Sequence, residues 1–501
     1  MALRGSLRYR LAMAIRRIWL GAALTGALLA AACGKSDTSP IEISAIGGKP
    51  RLVNPNLELL DPPSETLVEA TAQGLVRFDA AGQIEPGLAQ SWIVSDDGLR
   101  YTFRLRRTEW QGAGKVTAAQ VAERLRAAAS PASRNPLKPL LGAIDEIEAM
   151  TDEVLEIALV TPRPNFLQLL AQPEMAVILG GRGTGPYHAV DEGGVVSLHP
   201  PVEEEEDPDL AGDEDSHETA IQLRGERSAL AIVRFLSEET DLVLGGRAGD
   251  LPIARAADLP RGALVFDPVA GLFGLSFASR EGPLRNPAVR QALSMAIDRA
   301  ALVSALGVPG LQPRETLIPL GIDETPQPAA PDWASAPLPM RRVRATQAVA
   351  AAAGGKPLVV RVAVPDGPGY RLIFAHLRHD WRAIGVTAER VPQNARGADL
   401  RLIDAVAPVE LATWYLRQFS CSASAVCDRS ADEMMAAARI APTPENRQAL
   451  LANADRILSD ATAFIPLTAP IRWSLVSQRL TGFRPNLFGR HNIAELIAER
   501  P

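Results

Sequence analysis

Hydrophobic positions recur along this chain with two periods. From Arg100 to Arg106, Tyr101, Phe103 and Leu105 alternate with Thr102, Arg104 and Arg106, the two-residue period of a strand with one buried face. Residues 144–149 and 153–160 predict two further strands around a turn at Thr151-Asp152. Helical spacing follows three start signals. Thr117 with Gln120 forms a capping box ahead of Val121 and Leu125. Asn286-Pro287 places a cap before a proline at the first helical position, with Val289, Leu293, Ala296 and Ala300 on one face. Thr443-Pro444 repeats the signal before Leu450, Leu451, Ala454, Ile457 and Leu458. Between 358 and 404 the periods alternate: an apolar strand Leu358–Val364, a helix Tyr370–Ile384, then strands 386–391 and 399–403. Short links between them imply a parallel crossover and a buried parallel sheet.

Two stretches break the pattern. Residues 318–340 hold six prolines and predict a long surface loop. Residues 203–215 carry nine acids in 13 positions and predict a solvated run without the ordered ligand spacing of a calcium loop.

The N-terminus has its own pattern. Arg4, Arg8, Arg10, Arg16 and Arg17 precede a 15-residue apolar run from Ile18 to Ala32, short for a membrane span. Basic residues, a short apolar core and small residues before a cut form a secretory signal over residues 1–32. Because Cys33 follows directly, the segment resembles a bacterial lipoprotein signal, which implies lipidation of Cys33 and a polar tether over 33–40. Ala30 stands where such signals usually carry leucine, and Gly34 is not the aspartate of the inner-membrane retention signal. The alternatives are a plain cleaved signal with an incidental cysteine, or a single-span anchor. No later stretch is apolar for 18 residues, so the remainder is expected to be soluble.

Composition narrows the class. The 501 residues are 47% hydrophobic and 22% charged, as in a folded globular protein. The formal charge of −6 becomes −11 once the five arginines of the leader are removed, which argues against a nucleic-acid binder. Three cysteines are too few for a disulfide scaffold or a four-cysteine zinc site. If Cys33 carries lipid, Cys421 and Cys427 remain as one pair, which an oxidising compartment would join; two buried thiols are the alternative.

Catalytic and cofactor signals fail one by one. In Gly112–Thr117 a phosphate loop would need Ser or Thr where Val116 stands, and a first glycine where Glu109 stands. Pro186 takes the third glycine's place in a near dinucleotide fingerprint at 181–185. His376 and His379 share a helical face but have no evident third ligand. No cofactor, no metal and no enzyme are expected, although a triad assembled from distant residues, as in a secreted hydrolase, is the rival reading.

One resemblance covers most of the chain beyond the leader. Residues 74–79 (GLVRFD), 82–92 (GQIEPGLAQSW) and 95–106 (SDDGLRYTFRLR), followed by Thr117-Ala118-Ala119-Gln120-Val121, Gly183-Thr184-Gly185-Pro186-Tyr187, 289–299 (VRQALSMAIDR) and Phe464-Ile465-Pro466-Leu467, resemble in order the motifs of family 5 extracellular solute-binding proteins, the peptide- and nickel-type receptors of ABC importers. These residues read as fold markers: Gly82, Gly98 and Pro86 set turns, while Arg290 and Asp298, two turns apart on one helix, lock it in place.

The resemblance implies an α/β, bilobal periplasmic-binding-protein fold with an extra third domain and mixed sheets. It places the first lobe, of two subdomains, at 41–268, the second at 269–470, and a tail at 471–501 returning to the first. It implies capture of a small, peptide-like solute by hinge closure and delivery to an ABC permease by a monomeric, lipid-anchored periplasmic protein; a sensor or chaperone on the same fold is the alternative. The groove would be lined by Gly47, Gly48, Lys49, Pro50 and Arg51, and by Arg401 and Asp404. Asp404 would meet a ligand cation or else cap a turn before Pro408. The Trp and the second Asp-Pro of the relatives' W-x-x-D-x-x-D-P pattern are absent from 402–410, and the acidic run lies where relatives carry an N-P-x-Y-W-like strand.

Overall fold

A computed structural model describes residues 39–496, apart from 113, 164, 201–219, 323, 324, 326 and 355. The expectations for the leader, for Cys33 with most of the tether, and for the acidic run lie outside the described residues.

Strand β1 (Ile41–Ile46) is the middle of a seven-stranded sheet. It pairs in parallel with β10 (Ile221–Glu226) and β11 (Leu242–Arg247). Beyond β10 lie antiparallel β9 (Val195–His199) and β8 (His188–Glu192). Beyond β11 lie β18 (Arg472–Val476) and β12 (Leu264–Phe266). One face buries Ile41, Ile43 and Ala45 against Leu67 and Ala70 of the helix Pro62–Thr71, together with Phe483, Ile493 and Leu496 of the C-terminal tail.

A four-stranded antiparallel sheet has a separate core. Its order is β4 (Ala89–Val94), β5 (Arg100–Leu105), β7 (Val154–Leu159), β6 (Ile144–Ala149), with a short ribbon of β2 (Val76–Phe78) and β3 (Ile84–Pro86) beside it. Tyr101, Phe103 and Leu105 all point inward, as their alternation predicts. The capping box forms: Thr117 Oγ1 accepts from Gln120 N–H, and Gln120 Oε1 accepts from Thr117 N–H at 3.1 Å. Val121 and Leu125 thereby face the sheet.

The third unit is a five-stranded sheet ordered β15 (Val386–Pro392), β14 (Leu358–Val364), β16 (Leu400–Val406), β13 (Gly271–Phe277), β17 (Phe464–Thr468). β14 is parallel to both its neighbours, and the crossover to β15 is the helix Pro368–Arg382. The chain passes between the large sheets twice, at 267–270 and at 469–471, and the fold is α/β and bilobal with an additional unit on the first lobe.

Three local expectations are corrected. The helix after Asn286 stops at Met295, and a second, Arg299–Leu306, begins with Asp298 as its cap, its carboxylate accepting from Ala301 N–H. A side chain that satisfies new helix donors starts a helix rather than continuing one, so Ala300 is exposed and Arg290 and Asp298 do not share a helix. Arg290 is still a lock, donating to the carbonyls of Ala461 and Leu284. Pro86 ends a strand rather than making a turn, whereas Gly82 and Gly98 take the left-handed conformation at φ 80° and 68°. The proline-rich stretch is anchored, not merely superficial: Ile318, Ile322 and Trp333 are buried, Asp455 accepts from Ala329 N–H at 2.7 Å, and the helix Leu338–Ala353 begins inside it.

Candidate functional site

The end of β11 on the first lobe meets the end of β16 on the second across a cavity of about 270 Å³. Leu244, Gly245 and Arg247 line one wall, and Asp404 to Pro408 the opposite one. This is the crevice beyond the carboxyl ends of parallel strands, where open α/β sheets take ligands. The floor is the helix Pro62–Thr71 and the tail residues 488–491.

The helix is set by its first turn. Asp61 accepts from Ser64 N–H at 3.2 Å, and two prolines occupy positions that need no intrahelical donor. Glu65 and Glu69 then fall four residues apart on the cavity side. The motif turn 183–187 clamps the other end: Gly185 N–H donates to Thr71 O at 3.0 Å and Tyr187 N–H to Ala70 O at 3.1 Å. A Cβ on Gly183 would lie 2.2 Å from the Thr71 carbonyl, so only glycine permits this approach.

Like charges on one face need a counter-charge. Arg490, from the tail, pairs with Glu65 and with Glu174, the latter at 3.0 Å. Burial works against the Arg490 charge, yet Glu174, Glu65 and Glu69 together raise its proton affinity. Glu65 is raised chiefly by burial, which outweighs Arg490. The Glu69 carboxyl is pushed up to about 8 by burial and by Glu65. Its side chain has no hydrogen-bond or ion-pair partner among the described residues. A carboxyl so placed gains from an incoming cation.

Asp404 lines the cavity but is already matched. Arg472 Nη1 donates to its Oδ1 at 2.7 Å and the Tyr370 hydroxyl to its Oδ2 at 2.6 Å, with the Asp404 side chain only 5% exposed. Tyr370 is raised by burial and by this carboxylate, so it stays a donor. Within the protein its carboxylate is held by these two side chains rather than capping a turn before Pro408. The pair joins β18 of one lobe to β16 of the other, and Tyr370 reaches it because Gly249 leaves room for its ring, 2.5 Å from where a Cβ would stand. Arg247 is the cavity cation without an ion pair among the described residues. Its backbone is fixed by Trp473 Nε1, which donates to Arg247 O at 2.9 Å.

The other expected groove residues lie elsewhere. Gly47, Gly48, Lys49, Pro50 and Arg51 do not line the cavity. Gly48 N–H is held by Asp61, Lys49 pairs with Asp191 at 2.8 Å, Pro50 is buried and Arg51 pairs with Glu58. Arg401 donates to the carbonyls of Gln393 and Ala395 and also faces away from the cavity. Glu65, Glu69, Glu174, Arg247, Arg472 and Arg490 are not among the residues the sequence predicts for the site. The spacing of Glu65 and Glu69 behind Asp61-Pro62-Pro63 was a usable signal; the arginines carry none, because they arrive from distant segments. Among the described residues no group of three His, Cys, Asp or Glu is arranged to hold a metal ion.

Cys421 and Cys427 form a disulfide with a Cα–Cα distance of 5.0 Å. It closes a short loop ahead of the helix Arg429–Arg439. A loop of this size contributes ~2 kcal/mol by restricting the unfolded chain. Cys421→Ser combined with Cys427→Ser should therefore lower stability by about that amount. In the intact protein, neither of these two thiols should alkylate after denaturation without reductant, read by intact mass.

Comparison with known proteins agrees with this geometry. A murein tripeptide binding protein of Escherichia coli, MppA, superposes with a TM-score of 0.76 at 18% identity, covering 92% of this chain and 98% of that one. OppA of Haemophilus influenzae, solved with the peptide RPPGFSPFR, gives 0.75 at 17%, covering 91% and 98%. In sequence, the glutathione-binding protein GsiB of Pectobacterium atrosepticum is 31% identical over 193 residues, 36% of this chain and 37% of that protein. The chain thus spans under two fifths of this curated relative. The family match is broader, running over residues 83–404, through the four-stranded unit and on to the Asp404 that pairs with Arg472. With that span and this two-lobed architecture, the chain belongs to the bacterial extracellular solute-binding proteins, family 5.

Proposed function

We propose that this protein captures a small, peptide-like solute between its lobes and delivers it to an ABC permease, acting as a monomer without a cofactor. The observation that carries the reading is the inter-lobe cavity, where Glu69 and Arg247, neither with an ion-pair partner among the described residues, face the same space. Together they suit a solute bearing both an ammonium and a carboxylate, as peptides do. Asp404, neutralised by Arg472 and Tyr370, then serves as a wall and an inter-lobe tie rather than the amine receptor. Purification without added ligand, followed by native mass spectrometry, tests the capture: a released zwitterionic molecule of peptide size supports it, and a released molecule lacking any cationic group contradicts it.

We propose further that Cys33 is lipidated and holds the protein at the membrane face of the periplasm. One acyl chain binds only marginally, so stable anchoring needs several. Cys33→Ser should shift the protein from the membrane to the soluble fraction on cell fractionation. Unchanged membrane association after leader removal would defeat the anchor.

A further inference from the structure

A second recess lies outside the inter-lobe cavity. It is a groove of about 630 Å³ between the four-stranded unit and the second lobe, within the size range of small-molecule sites. The strap 408–410 divides the two: Gln172 Nε2 donates to Pro408 O at 2.5 Å and Asn165 Nδ2 to Glu410 O at 3.4 Å. The groove is lined by the cations Lys138, Arg163, Arg417 and Arg439 and by a single acid, Asp432. Asp432 is turned toward the backbone, one oxygen accepting from Cys421 N–H at 3.0 Å and the other buried without a hydrogen-bond partner. Lys138 spends its ammonium on the carbonyls of Pro131 and Ser133. Arg417 and Arg439 have no hydrogen bond or ion pair from their side chains among the described residues. Burial and the neighbouring Arg439 charge both lower the proton affinity of Arg417, and no acid acts in the opposite sense.

Two neighbouring guanidiniums with no ion-pair partner among the described residues gain from an external anion. The remainder of the lining is mainly apolar. We propose that this groove is a second binding site, for an amphiphilic anion, whose oxyanion group pairs with Arg417 and Arg439 while its apolar chain lies on Phe166, Leu169, Leu411 and Met435. The assignment does not depend on the solute in the inter-lobe cavity, since the two recesses share no lining residue.

Calorimetric titration of the purified protein with decanoate tests it, with acetate and decyltrimethylammonium as probes lacking the chain and the negative charge. Decanoate should bind at least tenfold more tightly than either. Arg417→Gln combined with Arg439→Gln should weaken it at least tenfold. Arg439→Glu, at an exposed position, should do the same alone. Decanoate binding that survives both sets of changes overturns the site, as does equal binding of decyltrimethylammonium or no saturable binding up to millimolar decanoate.

Discussion

Arg472→Met should destabilise the protein by about 3–5 kcal/mol, measured by chemical denaturation, the cost of leaving a buried charge without its partner. Asp404 is 5% exposed and Arg472 13% exposed, and the pair lies where β16 and β18 of different lobes converge. Tyr370 cannot compensate, because one phenol donor does not replace a guanidinium. If instead the pair is replaced whole, as Asp404→Leu with Arg472→Met, no unpaired charge remains, and most of the loss should be recovered. The non-additivity of that cycle measures the coupling directly. Additive losses would mean that the two residues do not depend on each other.

Glu69→Gln should stabilise the ligand-free protein above pH 8 by about 1–3 kcal/mol and flatten its pH dependence. The folded carboxyl titrates at about 8, well above the ordinary glutamate range. Below about pH 4.5 it is protonated in folded and unfolded chains alike, and its contribution to stability is fully present. As pH rises, the unfolded chain loses the proton first, so the contribution declines through the window up to about 8 and is gone beyond it. Glutamine keeps the neutral form throughout. The same change should weaken a cationic solute about tenfold, since the cation would no longer find a carboxyl group able to ionise beside it. Denaturation midpoints at pH 5, 7 and 9 for both proteins decide the first point: parallel curves would place the titration elsewhere.

The fold was more legible than the site, and for a physical reason. Tyr101, Phe103 and Leu105 announce a strand because their environment is set by neighbours two residues away. Thr117 and Gln120 announce a helix because a cap is local. Motif residues such as Gly183 and Gly185 are markers because they permit a backbone approach to Thr71, which seats the helix carrying Glu65 and Glu69. The cavity itself is assembled from segments separated by hundreds of residues: Glu65 and Arg490, or Asp404 and Arg472, meet only after both crossings between the sheets. Asp404 shows the consequence. A carboxylate at the family's position looks open in sequence, while its partners Tyr370 and Arg472 carry no motif that declares them.

The claim that solute is held between the lobes is tested most directly by hydrogen exchange of the purified protein with and without the molecule identified by native mass spectrometry. Binding should slow exchange on both walls together, in the helix Pro62–Thr71 and around Arg247 on one side and in residues 404–408 on the other. Protection confined to one lobe, or found only at a surface remote from this cavity, would contradict it.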